Sequence, residues 1–164
     1  MKQLFLFFFL LLSIPFNTSA ISLQEIQNNP QKYQLIRQTS KYAAFVDASS
    51  IESLRDSPPY YTLKCKAYMV NYLRDFISSN IITVSYNSSY RDFNLRKRKI
   101  SELGIYVDNH SEDFWFLNGN YRLHKQKSYN DDPDINSLAY QVANYLFYKT
   151  YNEYYGPQFG NTLY

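Results

Sequence analysis

The chain has 164 residues, with 17 Lys and Arg against 14 Asp and Glu, giving a formal net charge of +3 at pH 7. So small an excess supplies no field suited to a nucleic-acid backbone, and that class of partner is set aside. Cys65 is the sole cysteine, which excludes an internal disulfide, so stability must come from packing.

The N-terminus reads as an export signal. Met1-Lys2 is a short positive start, Leu4 to Leu12 is unbroken apolar sequence, and Pro15 and Thr18-Ser19-Ala20 follow. A positive end, a short greasy segment and small residues before the cut are the order of a cleavable secretory signal. Cleavage is expected after Ala20, leaving residues 21–164 as a single exported α+β domain. The apolar run falls short of the roughly 20 residues that a membrane-crossing helix needs. No second such run occurs, so the mature chain is expected to carry no transmembrane segment. Secreted or periplasmic localisation follows as the expectation.

The composition is rich in rings, with 18 Tyr and 12 Phe but only 4 Gly. Tyr pairs a large apolar body with a hydroxyl that wants a partner or water, which suits a sheet with one wet face.

In chain order, Ser22 and Glu25 have capping-box spacing, predicting a helix over Leu23 to Asn28 that stops near Pro30. Tyr33 to Gln38 and Tyr42 to Asp47 read as strands, and Asp47-Ala48-Ser49-Ser50 as a turn. Ile51 to Leu54 reads as one helical turn before the breaker Ser57-Pro58-Pro59. Tyr60 to Leu73 is the clearest strand. Leu63, Cys65, Ala67 and Met69 point one way, and Lys64, Lys66, Tyr68 and Val70 the other. Cys65 is expected to be a buried, inert thiol, with a bond to another chain as the alternative.

Ile81 to Tyr86 reads as a further strand, hairpinned with the long one. Residues 91–103 lean towards helix and hold a basic cluster at Arg96, Lys97, Arg98 and Lys99. Such a cluster is either a solvated face or a patch for an anionic surface. Phe114 to Leu117, Asn118-Gly119 and Tyr121 to His124 predict a second hairpin. A long helix is expected from about Asn136 to Tyr155, capped by Asp134. Ala139, Ala143 and Thr150 centre its inner face, and Gln141, Lys149 and Asn152 face outward. The alternative for this helix is partner binding through Tyr140, Tyr148, Tyr151 and Tyr155. Together these elements predict an antiparallel sheet of about five or six strands with the C-terminal helix packed on one face.

No constellation of residues specifies catalysis. His110 and His124 are the only histidines, and no set of ligands accompanies them to hold zinc. Asn130, Asp132 and Asp134 begin like a calcium loop, but Ile135 and Gln141 stand where Gly and Glu belong. No cofactor or metal is therefore expected. Serines occur without a nucleophile-elbow motif.

Two segments resemble a known group. Phe45-Val46-Asp47-Ala48-Ser49-Ser50-Ile51 is similar to a strand-turn pattern in small exported bacterial proteins of the surface-adhesin protein E type. Tyr140 to Lys149 resembles the closing helix of uncharacterised exported proteins from similar bacteria. The resemblance implies a small sheet-plus-helix domain without known catalysis, in some cases associated with the cell surface.

The expected function is that of an exported, non-catalytic domain binding a cell-envelope component or another secreted protein. The alternatives are a secreted enzyme whose site forms from scattered residues, and an inhibitor or immunity-type partner of another secreted protein.

Overall fold

A computed structural model describes residues 20–91, 99–129 and 132–157. Their elements run α1 (Leu23–Asn28), β1 (Tyr33–Gln38), β2 (Tyr42–Asp47), β3 (Glu52–Ser57), β4 (Tyr60–Asn71), β5 (Phe76–Asn87), β6 (Ile105–Phe116), β7 (Tyr121–Tyr129) and α2 (Leu138–Tyr151). The strands form one antiparallel sheet in the order β1-β2-β4-β5-β6-β7, with β3 also paired to β4. The class is α+β, as the sequence predicts. Among the described residues the strands number seven, where about five or six are expected.

The additional strand is β3, which replaces the helical turn expected over Ile51 to Leu54. β2 lies along the C-terminal half of β4 and β3 along its N-terminal half. Between them a 3₁₀ turn, Ala48–Ser50, jogs the chain outward. The Asp47 carboxylate accepts from the Ser49 amide at 3.0 Å, while Ser50 Oγ donates to the Asp47 carbonyl at 2.7 Å. Ser50 Oγ also accepts from the Lys66 amide at 2.8 Å, supplying the partner that the interrupted strand cannot give. The residues of β3 are all exposed, so no buried face left an apolar pattern to read.

Alternation in β4 is realised. Leu63, Cys65 and Ala67 join the core under α2, whereas Tyr68 and Val70 join a second core on the opposite face. That second core is covered by Ile21, Ile26 and Leu23 from the N-terminal segment. Ser22 caps α1 as expected, accepting from the Glu25 amide at 3.1 Å. The Glu25 carboxylate accepts from Tyr33 at 3.0 Å.

β5 is longer than its expected span because Ser78 and Ser79 continue it while buried. In β6, Asn80 pairs with Glu112 but Ile81 pairs with His110, so Ser111 is a bulge. One extra residue reverses the pleat. Ile105 and Val107 consequently face α2, while Trp115, also odd-numbered, faces the other core. The 118–119 turn is present, with a positive φ of 92° at Gly119 alone. Upstream, Gly104 (φ 73°) ends a short 3₁₀ turn, Ser101–Leu103, where an added Cβ would lie 2.4 Å from the Asn87 carbonyl.

α2 is shorter than expected at both ends. Its N-cap is Ser137, whose side chain accepts from the Tyr140 amide at 3.2 Å; Asp134 instead pairs with Lys99 at 3.1 Å. It stops at Asn152, which takes the left-handed conformation that Asn tolerates. Thr150, expected at the centre of the inner face, is exposed, whereas Lys149 and Asn152 are exposed as predicted.

Tyr140 and Tyr155 are fully buried, which removes them from any partner-binding edge. Residues 152–157 fold back over the helix. The Gly156 amide donates to Asn144 Oδ1 at 2.9 Å, and Tyr140 donates to the Pro157 carbonyl at 2.8 Å. Arg91 fastens this return, donating through Nε to the Tyr155 carbonyl at 2.7 Å and through its guanidinium to Glu153 and the Tyr154 carbonyl.

Tyr86 joins sheet to helix. Its hydroxyl donates to the Ala143 carbonyl at 2.8 Å, and its ring meets Phe147 at 5.1 Å. Phe147→Ala should cost about 3–5 kcal/mol of unfolding free energy, and Tyr86→Phe about 1 kcal/mol. Urea denaturation monitored by circular dichroism measures both; a smaller loss for Phe147→Ala than for Tyr86→Phe would contradict this packing.

Candidate functional site

α2 covers only part of its face of the sheet. Its C-terminal turns pack on Tyr61 and Tyr86, and its N-terminal residues lie across a gap from Ala67 and Met69. Beyond that point the register sets Phe76 opposite Phe116, and Ser78 opposite Phe114, itself opposite Leu123. Directly opposed residues share a face. Phe76, Phe114, Phe116 and Leu123 therefore form a shelf beside the start of α2. The Phe76 and Phe114 rings lie 5.4 Å apart.

Phe114 and Trp115 pair with Leu123 and Tyr121, so Arg122 is displaced from the ladder. Its guanidinium lies 5.9 Å from the Phe76 ring and 5.4 Å from the Phe116 ring. Both distances are within the range of cation–π attraction. Phe116 is 38 % exposed and Leu123 41 %. Aromatic side chains and arginine are the types enriched at protein interfaces.

The opposite face is polar where α1 does not reach. Lys66, Ile81 and His110 lie in register across three strands, as do Lys64, Thr83 and Asp108. His110 Nε2 lies 2.5 Å from Asp108 Oδ2, and His124 Nδ1 lies 2.8 Å from Asp113 Oδ1. Both pairs are about half exposed.

Ser79, Asp113 and His124 make a cross-strand row. Its order is unsuited to a hydrolytic triad, where the histidine must sit between nucleophile and acid. Here the serine and histidine strands are about 10 Å apart, at two strand spacings. Glu112 and Asp113, adjacent in sequence, are also in register with different neighbours, Lys125 and His124.

Arg96, Lys97 and Arg98 lie outside the described residues. Lys99 lies within them, paired with Asp134, and its amide donates to Glu102 at 3.1 Å. Asp132 accepts from the Ser101 amide at 3.2 Å and from its hydroxyl at 2.6 Å. The acidic segment thus holds the 99–101 segment in place. Among the described residues no group of three His, Cys, Asp or Glu is arranged to hold a metal ion. No helix among them is long and apolar enough to cross a membrane.

Cys65 is buried and free, 1 % exposed, as expected for an inert thiol. Burial, with a smaller contribution from the Asp47 charge, pushes its thiol up to about 12. No protein-family model, curated protein or solved structure matches this chain.

The shelf was only partly legible in the sequence. Phe114 and Phe116 flank Trp115 in an alternating strand, which places them together on one face. Phe76 fell outside the expected strand, and the displacement of Arg122 has no sequence signature.

The buried thiol makes a pH prediction. Its proton stays on in the folded chain but leaves the unfolded chain near the ordinary value of 9. Its contribution is complete below that value and is lost as pH rises towards 12. Burial pushes Tyr140 and Tyr155 up to about 12 as well, from an ordinary value of 10. Urea midpoints should therefore fall progressively above about pH 9, with Cys65→Ala flattening the earliest part of the decline. A midpoint that rises through this range would contradict it.

Proposed function

We propose that this chain is an exported binding domain that engages another protein through the shelf formed by Phe76, Phe114, Phe116, Leu123 and Arg122. The observation that carries this reading is the exposure of Phe116 and Leu123 beside an arginine held over two rings. Flat aromatic surface with a guanidinium above it is costly to leave in water and productive when a partner covers it. The exposed setting of both histidine–aspartate pairs favours binding over a secreted enzyme.

Export is part of the proposal. The order of residues 1–20 supports it. The contrast at the expected cut is compatible with it, since Ala20 is exposed while Ile21 is buried and the Leu23 amide bonds to the Leu117 carbonyl. The resemblance of two segments to surface-adhesin protein E proteins supports the same reading, in which the partner lies at the cell surface. An inhibitory role toward a secreted protein would use the same shelf.

The test is affinity capture from cell-envelope and secreted fractions, followed by titration of the captured protein. Phe116→Ala and Arg122→Ala should each weaken binding about tenfold, the loss expected of interface anchors. Both changes lie at the surface and should leave the unfolding midpoint nearly unchanged. Capture that is undiminished by the double variant would remove the shelf. Capture of a polymer instead of a protein would remove the class of partner.

A further inference from the structure

The first turns of α2 leave a gap above the sheet. The cavity there measures about 160 Å³. Its floor includes Ala67, Met69 and Ile82, and its roof Leu138, Ala139 and Val142. Protein interiors are ordinarily packed with few voids larger than a water molecule, so alanines on both sides leave space that a larger side chain would fill. No charged residue lines it.

Two amides, Asn80 and Asn109, are also among the lining residues. Asn109 is in register with Ile82, which places it on the α2 face of the sheet. Its Oδ1 is shut off from solvent and has no hydrogen-bond partner. An unmet buried acceptor is destabilising, and a donor brought to it recovers that loss. Asn80 has polar interactions of its own.

We propose that this cavity binds a small, uncharged, mainly apolar molecule with one hydrogen-bond donor, of about the size of phenol, which the Asn109 carboxamide turns to meet. A dry apolar cavity of about 150 Å³ is large enough for benzene. An ionised ligand is excluded by the cost of desolvating a charge that has no counter-ion in the lining. The site is distinct from the aromatic shelf, and neither depends on the other.

Phenol, benzene and benzoate are the probes, used with the purified protein. At a hundredfold excess over its Kd, phenol should raise the melting temperature by about 5–10 °C. Benzene should bind about tenfold more weakly, and benzoate should have no effect. Asn109→Leu should abolish the preference for phenol, and Ala139→Leu should abolish binding of both neutral probes. Methyl NMR of the unaltered protein keeps the test independent of how the variants fold. Phenol should move the resonances of Ile82, Val107 and Leu138, leaving Leu123 on the shelf unmoved. No shift at saturating phenol, or shifts confined to Leu123, would overturn the site and leave the cavity a packing void only.

Discussion

The contact on which the rest depends is the seating of α2 by Tyr86. This side chain is wholly buried, yet its hydroxyl is satisfied by the Ala143 carbonyl across the sheet–helix boundary. Its ring touches Phe147 at 5.1 Å and Tyr155 at 4.9 Å, so helix and returning tail are fixed by one residue of β5. Burying a tyrosine without a partner for its hydroxyl is unfavourable, and this geometry removes the penalty while retaining the area of the ring. The position of the helix then decides what the sheet leaves open. Its C-terminal turns close on Tyr61 and Tyr86, so its N-terminal turn ends short of Phe76 and Phe116. The shelf and the cavity are both consequences of that placement.

Much of this arrangement was legible where one periodicity persisted. The alternation of Leu63, Cys65 and Ala67 against Tyr68 and Val70 set the two faces of β4 correctly, because a strand buried on both sides still alternates between two distinct cores. Ser22 and Glu25 set the start of α1, because capping uses local bonds. The rest escaped for identifiable reasons. A bulge at Ser111 reverses the faces of β6 with no change in composition. Ser78 and Ser79 are buried polar residues inside β5, which broke the apolar signal. β3 has no buried face at all. Asp134 is a good cap by type, but tertiary pairing with Lys99 draws it away and leaves the cap to Ser137.

The candidate site shows the same limit. The histidines were conspicuous in the sequence, yet each is spent on an exposed aspartate of the polar face. The basic cluster was equally conspicuous, and its described member, Lys99, holds an aspartate of the segment before α2. Residues that stand out by type are thus used for local pairing. The shelf, by contrast, is assembled from β5, β6 and β7 by register, and register is set by bulges and turns that a list of residues does not display.

The division of one sheet face into a covered and an open part is tested most directly by hydroxyl-radical footprinting of the folded protein, read residue by residue. Phe116 and Leu123 should be modified readily, while Tyr86, Leu146 and Phe147 should remain protected until the chain unfolds. Protection of Phe116 and Leu123 together with ready modification of Phe147 would mean that the helix lies elsewhere, and the shelf would then be buried.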